Sequence, residues 1–249
     1  MKKSSPYLDY PLEEWKEITE NLIADYPLEQ EELLEIALIS WRRIWESEIG
    51  GKIKIHEVEL PATVVGYFFQ KLFSHELSSR YPDTWQGETH KADKDLVNIK
   101  NSFFSTEMKA SGQMGYSVFG NRSYNQEVNN TGSSKDKSGY YITLNFYGQT
   151  INLLRLGWVD QDDWIPQGAQ SGQAAILKPE VYSHKLITIN GDYRHESPIQ
   201  LLSGVGPKAA NIYNEQGIYT FLDLINYEGD DKKLLKIVAN NQETLDSIK

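Results

Sequence analysis

The chain has 249 residues, a formal net charge of −10 and no cysteine. This length can bury the core of one large domain, or of one domain with a small module attached. The absence of cysteine excludes disulfides, thiolate zinc sites and a cysteine nucleophile. The sequence has no apolar run long enough to span a bilayer, and its first residues lack the apolar core of a signal peptide. We therefore expect a cytoplasmic protein without membrane contact.

Three helices are predicted in the first third of the chain, over residues 11–25, 28–48 and about 61–79. In the first two, apolar residues recur at steps of three and four, and a pair of glycines ends the second. The third is apolar nearly all round. We interpret the first two helices as scaffold.

The next charged residues occur in segments that otherwise resemble buried strands, because their apolar residues alternate with polar ones or are consecutive. Asp95 directly precedes an apolar pair, and Glu107 and Lys109 flank Met108 in the next predicted strand. Charge in such segments carries a desolvation cost unless it is paired or holds a metal. Because side chains alternate along a strand, Glu107 and Lys109 should share one face.

If these segments are neighbouring strands joined by a turn near residues 100–103, Asp95 can meet Glu107 around one ion. Hard oxygen ligands with retained waters favour Mg²⁺. We therefore predict a metal site of Asp95, Glu107 and Met108. The predicted catalytic residues are Asp95, Glu107 and Lys109, with the lysine orienting a water or helping to deprotonate it for attack on phosphorus.

Two alternatives accompany this prediction. The first is that Glu107 and Lys109 form a weak pair on a solvent-exposed strand face. The second is that Asp93, a lesser candidate, takes the place of Asp95.

Two segments rich in glycine, serine, asparagine and glutamine follow, at residues 112–139 and 167–173, and the first is predicted to be a long loop or irregular excursion. Arginine pairs naturally with guanine edges, and asparagine or glutamine with adenine edges, in the major groove. The candidate DNA-binding residues are Asn121, Arg122, Asn125, Gln126, Gln170 and Gln173. Solvated loop amides and Asx turns are the alternative.

Two further strands are predicted between these segments, over residues 140–147 and 151–159. They would complete the sheet begun by the two charged strands. The fold class is therefore predicted to be α/β, with a mixed central sheet flanked by helices.

The net charge is an objection to a nucleic-acid ligand, because negative charge repels phosphate at long range. Its distribution softens the objection. Residues 1–60 hold 7 basic and 14 acidic side chains, whereas residues 100–155 hold 6 basic and 3 acidic ones. The acidic excess lies mostly in the predicted helices, away from the proposed site.

The pattern of Asp95 followed by Glu107-Met108-Lys109 resembles the D…(D/E)-x-K motif of the PD-(D/E)xK nucleases. A longer succession of segments is similar to the ScaI family of type II restriction endonucleases, across roughly residues 5–190: 41–45, 61–66, 94–97, 107–112, 121–126 and 157–158. The resemblance implies a restriction-endonuclease-like core. It also implies a homodimer that reads a short palindrome in double-stranded DNA and cuts both strands with Mg²⁺, leaving 5′ phosphates and 3′ hydroxyls.

Two positions depart from the nuclease pattern. Lys94 stands where these nucleases usually have a proline before the aspartate. In many of them the preceding helix also sends a glutamate toward the metal. The corresponding position here is Gln70, and Glu76 is the fallback candidate.

Residues 198–224 are similar to the helix-hairpin-helix motif. Gly204 and Gly206 permit a tight turn with close backbone approach. Pro207 suits the first turn of the next helix, whose free N–H groups can hold a phosphate. Gly217 then caps that helix.

This motif divides the chain into a nuclease domain over residues 1–192 and a small all-α module over residues 197–249. The DNA-binding residues predicted in the module are Gly204, Gly206 and Lys208. The module holds 5 basic and 7 acidic groups, so a packing role is the alternative to phosphate binding.

Two rival functions remain open at the level of sequence. One is a structure-specific DNA repair nuclease, which also pairs a nuclease core with hairpin modules but expects a Glu-Arg-Lys triplet and tandem hairpins. The other is a non-catalytic DNA-binding protein whose acidic pair is structural. Dependence of cleavage on a divalent metal would separate the binding protein from both nucleases.

Overall fold

The computed structural model describes residues 4–121, 136–167 and 174–248. Three long helices precede the central strands, and they confirm the three predicted helices. They are α1 (Trp15–Ala24), α2 (Gln30–Glu46) and α3 (Ala62–Arg80). A short hairpin of β1 (Glu48–Ile49) and β2 (Ile53–Lys54) lies between α2 and α3.

A six-stranded sheet forms the centre of the protein. Its strands in spatial order are β11 (Leu186–Thr188), β8 (Thr150–Val159), β7 (Gly139–Tyr147), β5 (Thr106–Gly112), β4 (Leu96–Asn98) and β3 (Trp85–Gly87). β5 and β7 run parallel, whereas the other neighbouring pairs are antiparallel. The sheet is therefore mixed, as predicted, and β7 and β8 confirm the two strands expected after the long loop.

A three-stranded sheet packs on one face of the central sheet. Its order is β6 (Phe119–Asn121), β10 (Ala174–Leu177) and β9 (Trp164–Pro166). Trp164 and Leu177 share a buried cluster with Tyr141 of the central sheet. The predicted long loop or irregular excursion over 112–139 contains β6, which the sequence did not predict, since a strand of three residues containing a glycine gives no readable alternation.

The opposite face of the central sheet carries the main core, where α1, α2 and α3 pack against it. The approach of α3 is close at the end of β5. A Cβ added at Gly112 would lie 2.6 Å from the Cβ of Ala62 and 2.5 Å from the ring of Phe146, so glycine is required there. Met108 points into this core, which leaves its neighbours in β5 to face the other side of the sheet.

The last part of the chain forms a separate buried cluster between Ile199 and Ile248. Its helices are α5 (Pro207–Asn214), α6 (Phe221–Ile225), α7 (Lys232–Asn240) and α8 (Gln242–Asp246). A further short helix, α4 (Pro179–His184), links β10 to β11. In the described parts of the chain, every helix is too short or too polar to cross a membrane.

Candidate active site

The two predicted metal-binding carboxylates lie on adjacent strands. β4 and β5 pair antiparallel with Leu96 opposite Thr106, and continuing this register by one residue sets Asp95 opposite Glu107. Asp95 Oδ2 accepts a hydrogen bond of 2.7 Å from the backbone N–H of Met108. The carboxylate of Asp95 is therefore held directly beside the Glu107–Met108 peptide.

Both carboxylates are buried, since Asp95 is 5% exposed and Glu107 is 2% exposed. Lys109 is partly exposed and donates to Glu107 Oε1 at 2.7 Å and to the carbonyl of Met108 at 3.1 Å. The predicted shared face of Glu107 and Lys109 is therefore confirmed. The alternative of a solvent-exposed strand face is wrong, because the acidic groups are taken out of water.

The lesser candidate, Asp93, has a different place in the structure. Its carboxylate accepts hydrogen bonds from the backbone N–H groups of Thr89 and His90, which keeps its pKa below the ordinary value. Asp93 thus closes a local turn, whereas Asp95 reaches the neighbouring strand. The geometry favours Asp95.

This donor set fits Mg²⁺. The available oxygens are the carboxylates of Asp95 and Glu107 and the main-chain carbonyl of Met108, because the Met108 side chain is in the core. In the described part of the chain no group of three His, Cys, Asp or Glu side chains could hold a metal. Mg²⁺ commonly binds through one or two carboxylates and completes its shell with water and substrate phosphate, so two acidic ligands suffice.

A cleft of about 410 Å³ opens beside Lys109. One wall comes from α3, including Tyr67 and Gln70, and another from β6, including Asn121. The structure therefore brings the predicted catalytic lysine, the predicted DNA-binding Asn121 and Gln70 to one opening. Gln70 is the residue that the resemblance to PD-(D/E)xK nucleases sets at the position of their helix glutamate.

Glu76, the fallback for that glutamate, is not part of the site. Its carboxylate pairs with Arg43 of α2 and, at 2.9 Å, with Arg80 of α3, and the hydrogen bonds to these arginines hold its pKa below the ordinary value. Glu76 joins two scaffold helices. Sequence alone could not exclude it, because Arg43 lies in a different helix.

Five of the predicted DNA-binding residues lie outside the described residues: Arg122, Asn125, Gln126, Gln170 and Gln173. The residues that flank these two segments are described. Asn121 of β6 is the register partner of Ala174 of β10. The two amide-rich segments are therefore attached at paired positions on the edge of the cleft.

Sequence reasoning missed a row of buried polar residues on the same sheet face. Lys109 is in register with Thr143 of β7, which is in register with Arg155 of β8. Arg155 donates to Asn145 Oδ1 at 2.6 Å and to the carbonyl of Tyr116 at 2.9 Å, and burial lowers its pKa to about 10. These hydrogen bonds link Tyr116, in the segment before β6, to the centre of the sheet. The signal of this row in the sequence is an arginine inside an otherwise apolar strand.

Lys94 is a second residue that the sequence did not resolve. It is buried, and its ammonium lies 5.2 Å from the ring centre of Tyr141, the register partner of Glu107. Lys94 immediately precedes Asp95 in the chain, and its ammonium lies over this ring.

The predicted DNA-binding turn near the carboxyl end is exposed. Gly204 has a φ of +85°, which favours glycine, whereas Gly206 has a φ of −80° and open space around its Cα. Pro207 begins α5, and Lys208 is exposed in its first turn. Gly217, with a φ of +82°, follows the end of α5, as expected for a helix cap.

Comparison with known proteins identifies the family. Residues 5–190 match the ScaI restriction endonuclease family, and the match includes the whole Asp95, Glu107 and Lys109 site. The chain belongs to that family. A relative described as type II restriction enzyme ScaI, from Streptomyces caespitosus, is 33% identical in an alignment of 196 residues that covers 75% of this chain and 85% of the relative. No solved structure matches the chain significantly.

Membership of the ScaI family makes this protein a restriction endonuclease by class. The family match ends at residue 190, before α5 and the other helices of the carboxyl-terminal cluster. The ScaI family therefore accounts for the central sheet and the cleft, and it does not account for the exposed glycine turn.

Proposed function

We propose that this protein is a type II restriction endonuclease that uses Mg²⁺ to hydrolyse both strands of double-stranded DNA at a short palindrome. The observation that carries the proposal is the meeting of Asp95 and Glu107 across β4 and β5, with Lys109 bonded to Glu107. Burial of two carboxylates with one ammonium carries a desolvation penalty, and a bound metal cation would offset it.

In this proposal Asp95, Glu107 and the Met108 carbonyl hold the cation. When bound, Mg²⁺ supplies positive charge that stabilises the transition state of phosphodiester hydrolysis. Lys109 donates a hydrogen bond to the attacking water and keeps it in line with the phosphorus. A new P–O bond forms to the water, which releases a proton to solvent, and the bond between phosphorus and the 3′ oxygen breaks. The 3′ oxygen takes up a proton from solvent, so the products are a 5′ phosphate and a 3′ hydroxyl.

Sequence recognition is assigned to the amide-rich segments that flank β6 and β10. Asn121 is exposed and supports this assignment, because it lines the same cleft as Lys109. The other recognition residues remain a sequence-based proposal. A homodimer would match the two-fold symmetry of a palindrome, so we include it in the proposed function.

Metal dependence is the direct test of this function. The protein is incubated with a long duplex of known sequence in Mg²⁺, in EDTA, and in EDTA followed by excess Mg²⁺. We expect discrete fragments with 5′ phosphates in Mg²⁺, no cleavage in EDTA, and recovery after Mg²⁺ is restored. A branched duplex is incubated under the same conditions. Nicks confined to its junction would instead indicate a repair nuclease, and cleavage of neither substrate would indicate a binding protein.

We propose that the segment around the carboxyl-terminal glycine turn is a helix-hairpin-helix motif, which binds one DNA phosphate without reading sequence. In the 249-residue chain we expect Lys208→Gln and Gly204→Val to weaken DNA binding and to reduce its salt dependence, because one phosphate contact is lost. The cleaved sequence should stay the same. Measurement is by fluorescence anisotropy over a salt series, together with mapping of the cut sites.

Lys236→Gln is the matched control for this prediction. It removes the same charge from an exposed position of α7 in the same cluster, outside the glycine turn. If Lys208→Gln and Lys236→Gln have equal effects, the glycine turn makes no specific phosphate contact and only the net charge of the cluster affects binding. A change in the cleaved sequence would assign the carboxyl-terminal cluster to recognition instead.

A further inference from the structure

A second ion pair lies beside the candidate active site, on the far side of Asp95 from Lys109. Lys71 of α3 donates to Glu88 Oε1 at 2.5 Å, and the two side chains are 39% and 29% exposed. The ammonium of Lys71 also lies 5.2 Å from the ring centre of Tyr67, which lines the cleft. The pair is therefore at the rim of the cleft and open to water.

Strand register places this pair in line with the two predicted metal ligands. β3 and β4 pair with Gly87 opposite Leu96, so continuing by one residue sets Glu88 opposite Asp95. Glu88, Asp95 and Glu107 then follow one another across three adjacent strands. With neighbouring strands roughly 5 Å apart, Glu88 is about 10 Å from Glu107.

The electrostatics agree with this placement. The pKa of Lys71 is raised above its ordinary value, first by the hydrogen bond to Glu88, and the charge of Asp95 contributes in the same direction. Lys71 is thus within electrostatic reach of the predicted metal site while it remains bonded to Glu88.

We propose that Lys71 binds a backbone phosphate next to the scissile phosphate, and that Glu88 holds Lys71 in place until DNA arrives. This inference rests on the proposed nuclease function. A DNA strand carries one phosphate for about every 3.4 Å of helix axis. If the scissile phosphate lies at Asp95 and the strand continues toward β3, its next phosphates come close to Lys71. A partly exposed ion pair contributes little free energy, so Lys71 can exchange the carboxylate of Glu88 for a phosphate with little loss of stability.

The proposal predicts opposite effects for the two members of one ion pair. Lys71→Gln should weaken binding and lower the slope of log affinity against log salt by about 0.9, because one phosphate contact is lost. Glu88→Gln should strengthen binding, because Lys71 is released and a charge that repels phosphate is removed. The double variant should bind more weakly than Glu88→Gln and more tightly than Lys71→Gln, because it loses the Lys71 contact and still lacks the repelling charge of Glu88. Lys71→Arg should keep the slope of the unmodified protein.

The binding probe is a short fluorescent duplex of random sequence, measured in Ca²⁺ between roughly 50 and 200 mM salt. The matched controls are Arg42→Gln and Glu46→Gln. Arg42 and Glu46 form an exposed pair on α2, with side chains 66% and 68% exposed, away from the cleft. Cleavage of a plasmid in Mg²⁺ is measured in parallel, and Lys71→Gln should raise KM more than it lowers kcat.

Two results would overturn the inference. One is a Lys71→Gln protein that binds like Arg42→Gln at every salt concentration. The other is a Glu88→Gln protein that binds more weakly than the unmodified protein, as expected if the pair only supports the fold. Failure of the nuclease proposal looks different: the unmodified protein would leave the plasmid uncut in Mg²⁺, whatever the binding of the variants.

Discussion

Alanine at Asp95, Glu107 or Lys109 is expected to reduce the rate of DNA cleavage by about a thousandfold or more. In the proposed mechanism each carboxylate supplies a metal ligand and the lysine orients the water, and loss of such a group would remove several kcal/mol of transition-state stabilisation. Single-turnover cleavage of plasmid DNA in saturating Mg²⁺ measures the rate. Circular dichroism checks that each variant retains the fold.

Two companion variants make this prediction specific. Asp95→Asn in Ca²⁺ should still bind DNA, because binding does not require the chemical step. Asp93→Ala should cut DNA at a near-normal rate, since its carboxylate bonds within a local turn. Near-normal turnover by an alanine variant of Asp95, Glu107 or Lys109 would remove that residue from the site.

The geometry of this site was readable from the sequence because it depends on short-range rules. The alternation of side chains along a strand places Glu107 and Lys109 on one face and Met108 on the other. A single turn between two strands is enough to bring Asp95 opposite Glu107. No long-range pairing has to be known.

Features that depend on distant pairing were not readable. β6 and β10 are three and four residues long, and they are recognisable as strands only because they pair with each other across the intervening chain. Glu76 was retained as a metal-ligand candidate because its partner Arg43 comes from another helix. The Lys71–Glu88 pair was missed for the same reason, since it joins α3 to the end of β3.

The largest expected loss of stability comes from a lysine that the sequence did not single out. Lys185 is 2% exposed, and its ammonium lies 2.8 Å from Asp160 Oδ2 and 2.9 Å from Asp163 Oδ2. The rings of Tyr7 and Trp15 also lie against it, at 4.2 and 4.4 Å from their centres. One cation therefore joins the amino-terminal segment to the end of β8 and to β11.

Lys185→Met should lower the free energy of unfolding by about 3–5 kcal/mol, because it leaves buried carboxylates without their cation. The melting temperature should fall by roughly 10 °C in a chain of this size. Arg42→Met is the control, since an exposed pair of this kind contributes at most about 1 kcal/mol. Urea and thermal denaturation at neutral pH measure both variants.

The dependence of this loss on pH tests its cause. Burial raises the pKa of Asp163 above its ordinary value even with Lys185 present. An acid with a raised folded-state pKa stabilises the fold when protonated, and this contribution is lost as pH rises through that pKa. The deficit of Lys185→Met should therefore be largest at neutral pH and shrink as pH falls toward about 4.

Adding Asp160→Asn and Asp163→Asn should recover most of the lost stability, because no buried charge then lacks a partner. A deficit that is constant with pH, or that persists in the triple variant, would mean that packing of the Lys185 side chain, and not its charge, stabilises this part of the protein.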